Sequence, residues 1–576
     1  MKRWTEPYDS RNCAICYVPE AYGVQTENIL GRQSAGREFL AAFARHSGCN
    51  DFLCVTSDVD AHRIFRGQIA SFREAPFTTY DINVNDLYSL HHAGTVFWPD
   101  PLLGRLAWMR RSWRASAYSL CGITHTLSEG EVVVGLQSIV TDPVEPWDAI
   151  VCTSQIAKKT VKSIMEDWAH YYEDRFNAKI EPDFQTPVIP IGVDLPRFEK
   201  TSSKVEGGRS LRSRLCIPDD AVVGLYFGRL NFLSKSHPTP MFMAFEEAAQ
   251  RLGDTPVHLI IVGQFNNSIL KQEYEDLAGK FCARAKIHWL NGNDPFDSRD
   301  CWYAADYFIS LSDNMQETFG MTVVEAMAAG LPCIVSEWSA LKENIADART
   351  GYVIPTTMPP QTVGAGHVRR SIFQIDSFSD TVASLSQTVG VDIRICAAAI
   401  EQMIADKDKR DEMGRQARHD AEQRFDWAKI IREYQDLWKN LEDIRQEAFR
   451  SSNIAKVSYP GQLNPFVVYG DFANHHISDN AQIIWVNENA EDLLDTLWQN
   501  ISHLTIAFSL LPLKEIRKLI TALAEDVPIN LGAVADRHPL WDKEKLCFSL
   551  CWMLKYNLVG IGNDLSYEPH AWTVAG

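Results

Sequence analysis

The sequence predicts an α/β protein with two doubly wound domains in series, each a parallel sheet between helices, and a small, mainly helical third domain. Three observations carry this. Short apolar runs alternate with longer amphipathic segments, which requires crossover connections and parallel strands. The alternation is interrupted once, at the polar stretch "FEKTSSKVEGGRS", and then restarts. The chain's 576 residues also exceed what one compact core accommodates.

The first half offers "CAICYV", "FLCVTS", "TVFW", "YSLCGIT", "AIVCTS" and "PVIPI" as strands, with helical patterns such as "SAGREFLAAFARH" and "SQIAKKTVKSIMEDWAHYYEDRF" between them. The interruption around 198–210 has the Ser, Gly and Lys content of a linker. Beyond it "AVVGLYFG", "PVHLIIVG", "KIHWL", "DYFISL", "PCIVS" and "YVIP" read as a second set of strands, and residues 395–447 read as wholly helical. The domains are accordingly expected at 1–197, 198–447 and 455–576. A ligand is expected between the first two, at the carboxyl ends of their strands.

Composition narrows the function. Apolar residues make up 45% and charged residues 23%, as in soluble globular proteins. No apolar run has the length to cross a bilayer. The N-terminus soon carries Glu6 and Asp9 and does not read as a signal peptide, so a cytoplasmic protein is expected. A formal charge of −18 argues against nucleic-acid binding. Thirteen cysteines at irregular spacing read as reduced thiols. Cys13 and Cys16, three apart on a strand, would point to opposite faces, which disfavours a metal or redox pair.

The chemistry concentrates in "DNMQETFGMTVVEAMAAGLPCIVSEW", residues 313–338. A strand ends, a loop follows, and a helix starts near Gly320. Its first N–H groups lack internal partners and carry the positive end of the helix dipole, so they suit a phosphate. Glu317 would face whatever that phosphate carries. Glu325 would suit paired hydroxyls, because an ionised carboxylate only accepts hydrogen bonds. The structural alternative is a capping box from Thr322 to Glu325, with Glu317 an ordinary loop acid. Upstream, Arg229 and Lys235 follow the strand "AVVGLYFG", two cations placed to grip a diphosphate.

With these blocks in view, the sequence resembles retaining glycosyltransferase family 4 and its GT-B fold. The resemblance rests on "FGRLNFLSK", the Glu-x7-Glu block with "EAMAAGLP", and "TGYVIPT", supported by "VIPIGVD" and "AIVCTS", over roughly residues 12–445. It implies transfer of a sugar from a nucleotide-diphosphate sugar to an acceptor hydroxyl of a glycan, lipid or small molecule, with retention and with no cofactor or metal. By that likeness Arg229 and Lys235 hold the diphosphate, Glu325 the ribose, and Glu317 the donor sugar near the reacting carbon. The amides around Phe319, Gly320, Met321 and Thr322 receive the phosphate, and Asn314 and Gln316 lie where sugar hydroxyls are read. His125, just past "YSLCGIT", matches the family's histidine that faces the donor sugar. Gly31 and Arg32 match its glycine loop, although the usual Gly-Gly doublet is missing.

Other features are read blandly. Asp58 and Asp60 imitate a metal-binding DxD but fit a surface turn. His91–His92 and His475–His476 lack ligand spacing, and no metal is assigned. "GRLAWMRRSWRASAY" reads as a helix with a solvated basic face, with peripheral contact to the membrane's inner face as the alternative. The third domain shows no catalytic constellation. A non-catalytic GT-B-like subunit making protein contacts through that domain is the rival function.

Overall fold

A computed structural model describes residues 9–23, 31–84, 86–451, 464–473, 476–501, 509–526 and 529–562. The chain divides into two compact units, 1–459 and 460–576.

The larger unit holds two six-stranded sheets. The first contains β1 (Ala14–Cys16), β2 (Asp51–Thr56), β3 (Thr78–Asn83), β4 (Thr95–Phe97), β5 (Ser119–Ile123) and β6 (Ala149–Val151), in the order 3-2-1-4-5-6. The second contains β7 (Val223–Phe227), β8 (His258–Gly263), β9 (Lys286–Asn291), β10 (Tyr307–Ser310), β11 (Cys333–Ser336) and β12 (Gly351–Ile354), in the order 12-11-10-7-8-9. Read from the other edge, the second order repeats the first, and all pairings are parallel. Both sheets are therefore Rossmann-like, with the order reversing beside their first strands, β1 and β7. This is the expected pair of doubly wound domains.

Burial explains which runs became strands. β1, β5, β6, β8 and β11 are buried along their whole length, as two-sided parallel strands must be. Cys13 and Cys16 do enter different cores, on opposite sides of the first sheet. Edge strand β3, "TTYDIN", is largely half-exposed and too polar to have been recognised as a strand. "PVIPI" forms no named strand and makes only an isolated bridge between Val188 and Cys152.

The stretch expected to be a linker is helix Ser202–Arg214. The Thr201 side chain caps it by accepting from the Lys204 amide at 3.4 Å. Its Gly207–Gly208 pair is a packing surface: a Cβ on Gly208 would lie 2.5 Å from the Tyr303 backbone. Small residues here let helix Pro295–Ala304 approach closely.

The basic stretch also departs from expectation. Arg110, on helix Gly104–Arg111, is fully buried and grips Asp148 in two contacts of 2.5 and 2.7 Å. One of the supposedly solvated cations is thus a core ion pair. Asp58 caps helix Val59–Phe72 through the Asp60 amide, as a structural acid.

Three helices matter for the site: α1 (Gly31–His46), α2 (Met321–Ala328) and α3 (Trp427–Ser451). Helix α3 returns to the first sheet's domain. Tyr434 packs edge-on against Phe39 of α1 at 5.1 Å, and Trp438 against Phe43 at 5.7 Å. Gln435 and Arg445 donate to the Ser47 carbonyl (2.9 Å) and the Ser116 carbonyl (3.0 Å).

The smaller unit has helices Ala490–Ile501, Leu513–Asp526, Leu531–Arg537 and Lys543–Lys555. It adds a three-stranded antiparallel sheet, with Gln482–Val486 between Ile529–Asn530 and Val559–Ile561. Leu494, Leu519, Leu523, Leu550 and Met553 form its core. No group of metal-binding side chains occurs among the described residues. Of the second histidine pair, His475 lies outside them.

Candidate active site

The carboxyl ends of the two sheets meet. After β5, the His125 carbonyl accepts a hydrogen bond of 2.9 Å from the Thr318 hydroxyl, which lies after β10. After β6, the Ser154 hydroxyl donates to the Thr318 carbonyl at 3.0 Å. Glu343 of the second domain accepts from the Gln155 and Ile156 amides at 2.8 and 2.7 Å, capping the helix that follows β6.

Glu317 anchors the second domain's side of this junction. Its Oε2 accepts from Lys235 Nζ at 3.1 Å, and its Oε1 from the Gly320 and Phe319 amides at 2.8 and 3.4 Å. Burial pushes this carboxyl up, but the Lys235 charge and the hydrogen bonds outweigh it, leaving Glu317 below the usual carboxylate range. Arg229 lies within electrostatic reach of Glu317 and is itself partly desolvated, which lowers its pKa. Arg229, Lys235 and Glu317 are thus brought together as the sequence predicts.

The helix start is also confirmed in place. Gly320 is the N-cap of α2 with φ +85°, and a Cβ there would sit 2.3 Å from the Leu341 side chain. The positive φ favours glycine, and a side chain there would also push Leu341 aside. Thr322 lies inside the helix, so the capping-box alternative is excluded; Gly320, which has no side chain, is the N-cap instead. The amides of Phe319 and Gly320, expected to receive a phosphate, are taken by Glu317. Those of Met321 and Thr322 make no hydrogen bond among the described residues and remain for an anion.

Asn314 serves the scaffold. Its Nδ2 donates to the Leu233 carbonyl at 3.4 Å and its Oδ1 accepts from the Gln316 amide at 3.0 Å. The Asn314 carbonyl in turn accepts from Trp338 Nε1 at 2.9 Å. Buried at 1% exposure, Asn314 ties the Glu317 loop to the Lys235 loop. Asn231, which sequence reasoning missed, folds the latter: its Oδ1 accepts from the Leu233 amide and its carbonyl from the Lys235 amide, both at 2.9 Å. The signal was an Asn two residues after Arg229. Gln316 is half-buried in the same loop.

On the opposite wall, burial, then the charge of Arg32, push His125 down to about 4, so its imidazole is neutral. Arg32 and Gly31 open α1, which places Arg32 near His125 as well as Asp100. The rest of the glycine loop, 28–30, lies outside the described residues.

Glu325 lies on α2 and is pushed up by burial, against the pull of Arg197. Arg197 Nη1 stands 3.7 Å from Glu325 Oε1 and also 3.7 Å from Glu38 Oε1. Neither Arg197 nor Glu38 was singled out from the sequence.

Residues 216–364 match the family model described as glycosyl transferases group 1. The chain is 23% identical over 396 residues to a D-inositol 3-phosphate glycosyltransferase of Corynebacterium urealyticum, covering 66% of this chain and 77% of the relative. It is 27% identical over 206 residues to an alpha-monoglucosyldiacylglycerol synthase of Streptococcus pneumoniae, covering 35% and 41%. Among solved structures, Anabaena HepE in complex with UDP and glucose aligns at a TM-score of 0.45 and 15% identity, over 73% of this chain and 98% of that one. The segment 216–364, which contains Arg229, Lys235, Glu317 and Glu325, is thus similar to the glycosyl transferases group 1 family.

Proposed function

We propose that this protein transfers a sugar from a nucleotide-diphosphate sugar to an acceptor hydroxyl with retention at the anomeric carbon. The observation that carries the reading is the convergence of Arg229, Lys235, Glu317 and the start of α2 at the carboxyl end of the second sheet.

The diphosphate lies against Arg229, Lys235 and the free amides of Met321 and Thr322, where positive charge is already fixed. As the bond from the anomeric carbon to the diphosphate oxygen breaks, negative charge grows there and the sugar becomes oxocarbenium-like. The acceptor oxygen bonds to that carbon from the same face. Its proton passes to an oxygen of the leaving diphosphate, which serves as the base. Glu317 orients the donor sugar, and its low pKa keeps it an acceptor of hydrogen bonds. Neutral His125 is available to the sugar from the opposite wall. Two cations and two amides neutralise the leaving group without a metal, so transfer survives a chelator.

The acceptor is a polyol, a glycan or a lipid headgroup; the names of the relatives include both a sugar-alcohol phosphate and a lipid. A cytoplasmic setting is supported by thirteen unpaired cysteines, ten of them buried. Among the described residues no helix is long and apolar enough to cross a membrane.

The test incubates purified protein with a panel of nucleotide sugars and acceptors and reads released nucleotide. Transfer is expected in the wild type, with or without EDTA, and should fall sharply in Glu317→Ala and Lys235→Ala. Wild-type rates in both variants would remove the assigned site.

A further inference from the structure

Glu38, Arg197 and Glu325 come from three separate segments. Glu38 lies on α1 of the first domain, Arg197 on the 3-10 turn Leu195–Phe198, and Glu325 on α2 of the second domain. The guanidinium is equidistant from the two carboxylates, at 3.7 Å from each. Arg197 is held in turn: its carbonyl accepts from Lys204 Nζ at 2.8 Å and its guanidinium lies over the Phe198 ring at 5.4 Å. One cation thus serves two carboxylates, and the surplus negative charge sits at the junction of the domains.

We propose that Glu38 is a positioning residue for the nucleotide: through the shared Arg197 it governs how firmly Glu325 is held for the hydroxyls of the donor. The inference rests on the sugar-transfer reading above and extends it to a residue of the opposite domain. A carboxylate has several lone-pair sites, so Glu325 can give one oxygen to Arg197 and keep the other for a ligand. When Glu38 is neutral, Arg197 belongs to Glu325 alone. When Glu38 is ionised, the guanidinium is divided and Glu325 is held less firmly.

The surroundings of Glu38 raise its carboxyl toward neutrality. Burial, then the charge of Glu325, push its carboxyl up to about 7, opposed by Arg197. The charged groups facing it are Glu325, Arg197 and Asp194, the last paired with Arg45 at 3.3 Å. Cys301 adds a thiol beside Glu325, but burial holds it protonated.

The experiment titrates UDP, GDP and ADP into the full-length wild type and Glu38→Gln at pH 6 and pH 8. The phosphate's own titration is common to both proteins and cancels in the comparison. Wild-type affinity for the best of the three should weaken threefold or more from pH 6 to pH 8 beyond any change in Glu38→Gln. With the matching nucleotide sugar, the same difference should appear in KM and not in kcat. Glu38→Asp should restore part of the pH dependence, which a merely structural role would not do. Equal pH dependence in wild type and Glu38→Gln would overturn the proposal while leaving sugar transfer intact. Absence of binding by all three nucleotides at both pH values would remove the nucleotide-sugar reading, and this inference with it.

Discussion

Replacing Lys235 with methionine perturbs two things at once, and the structure sets the size of each. The first is the grip on the donor. A hydrogen bond to a charged group contributes about 1.5–3 kcal/mol, and about 1.4 kcal/mol corresponds to a factor of ten. Loss of the ammonium should therefore lower kcat/KM for the nucleotide sugar by roughly 10- to 150-fold. The second is the ionisation of Glu317. In the wild type the Lys235 charge and hydrogen bond are the leading forces that hold this buried carboxyl down, ahead of the Phe319 and Gly320 amides. Without them, burial dominates and the pKa rises. A carboxylate with a depressed pKa stays ionised until the pH falls well below its usual range, so wild-type kcat/KM should show no acid limb from Glu317 above that range. In Lys235→Met an acid limb should appear and move toward neutrality. Released nucleotide followed from pH 5 to pH 8 measures both. A variant within threefold of wild type, with an unchanged acid limb, would refute the coupling between Lys235 and Glu317.

Four further outcomes follow from the structure. Gly320→Ala places a side chain at φ +85°, costing about 1–2 kcal/mol, and drives Leu341 aside, so nucleotide affinity and melting temperature should both fall. His125 is neutral in the native state but binds a proton below its ordinary value of 6.5 when unfolded, so stability should decline as pH falls from 6.5 toward 4. Arg32→Gln should raise the His125 pKa, read by NMR of the ring, and shift that decline to lower loss. Asp148→Ala would leave Arg110 buried without its partner and strand the Leu120 and Glu145 amides that Asp148 accepts at 2.8 and 2.9 Å. The expected cost, measured by urea unfolding, is about 3–5 kcal/mol.

Much of the donor side was legible because it is contiguous. Glu317, Gly320 and Glu325 lie within nine residues, and strand, loop and helix follow each other in the order the chemistry needs. Arg229 and Lys235 flank Asn231, so one short loop carries both cations and the residue that folds it. The parallel strands were legible because two-sided burial leaves unbroken apolar runs, and β3 escaped because an edge strand need not be apolar. What could not be read depends on distant partners. Arg110 resembles its solvated neighbours until Asp148, 38 residues on, claims it. The Gly207–Gly208 pair suggests a flexible linker until Tyr303 packs on it. Arg197 lies 159 residues from Glu38 and 128 from Glu325, and no local pattern marks their meeting. Asn314 was placed near sugar hydroxyls by resemblance alone, and no local pattern showed that its side chain also joins the Glu317 and Lys235 loops.

The most direct test of the diphosphate site is calorimetric titration of nucleoside diphosphates into wild type and the Arg229→Met/Lys235→Met double variant, with and without EDTA. At least one nucleotide should bind the wild type with an affinity that EDTA leaves unchanged, and the double variant should bind it about a hundredfold or more weakly, two charged contacts having gone. Equal binding by the two proteins would contradict the account.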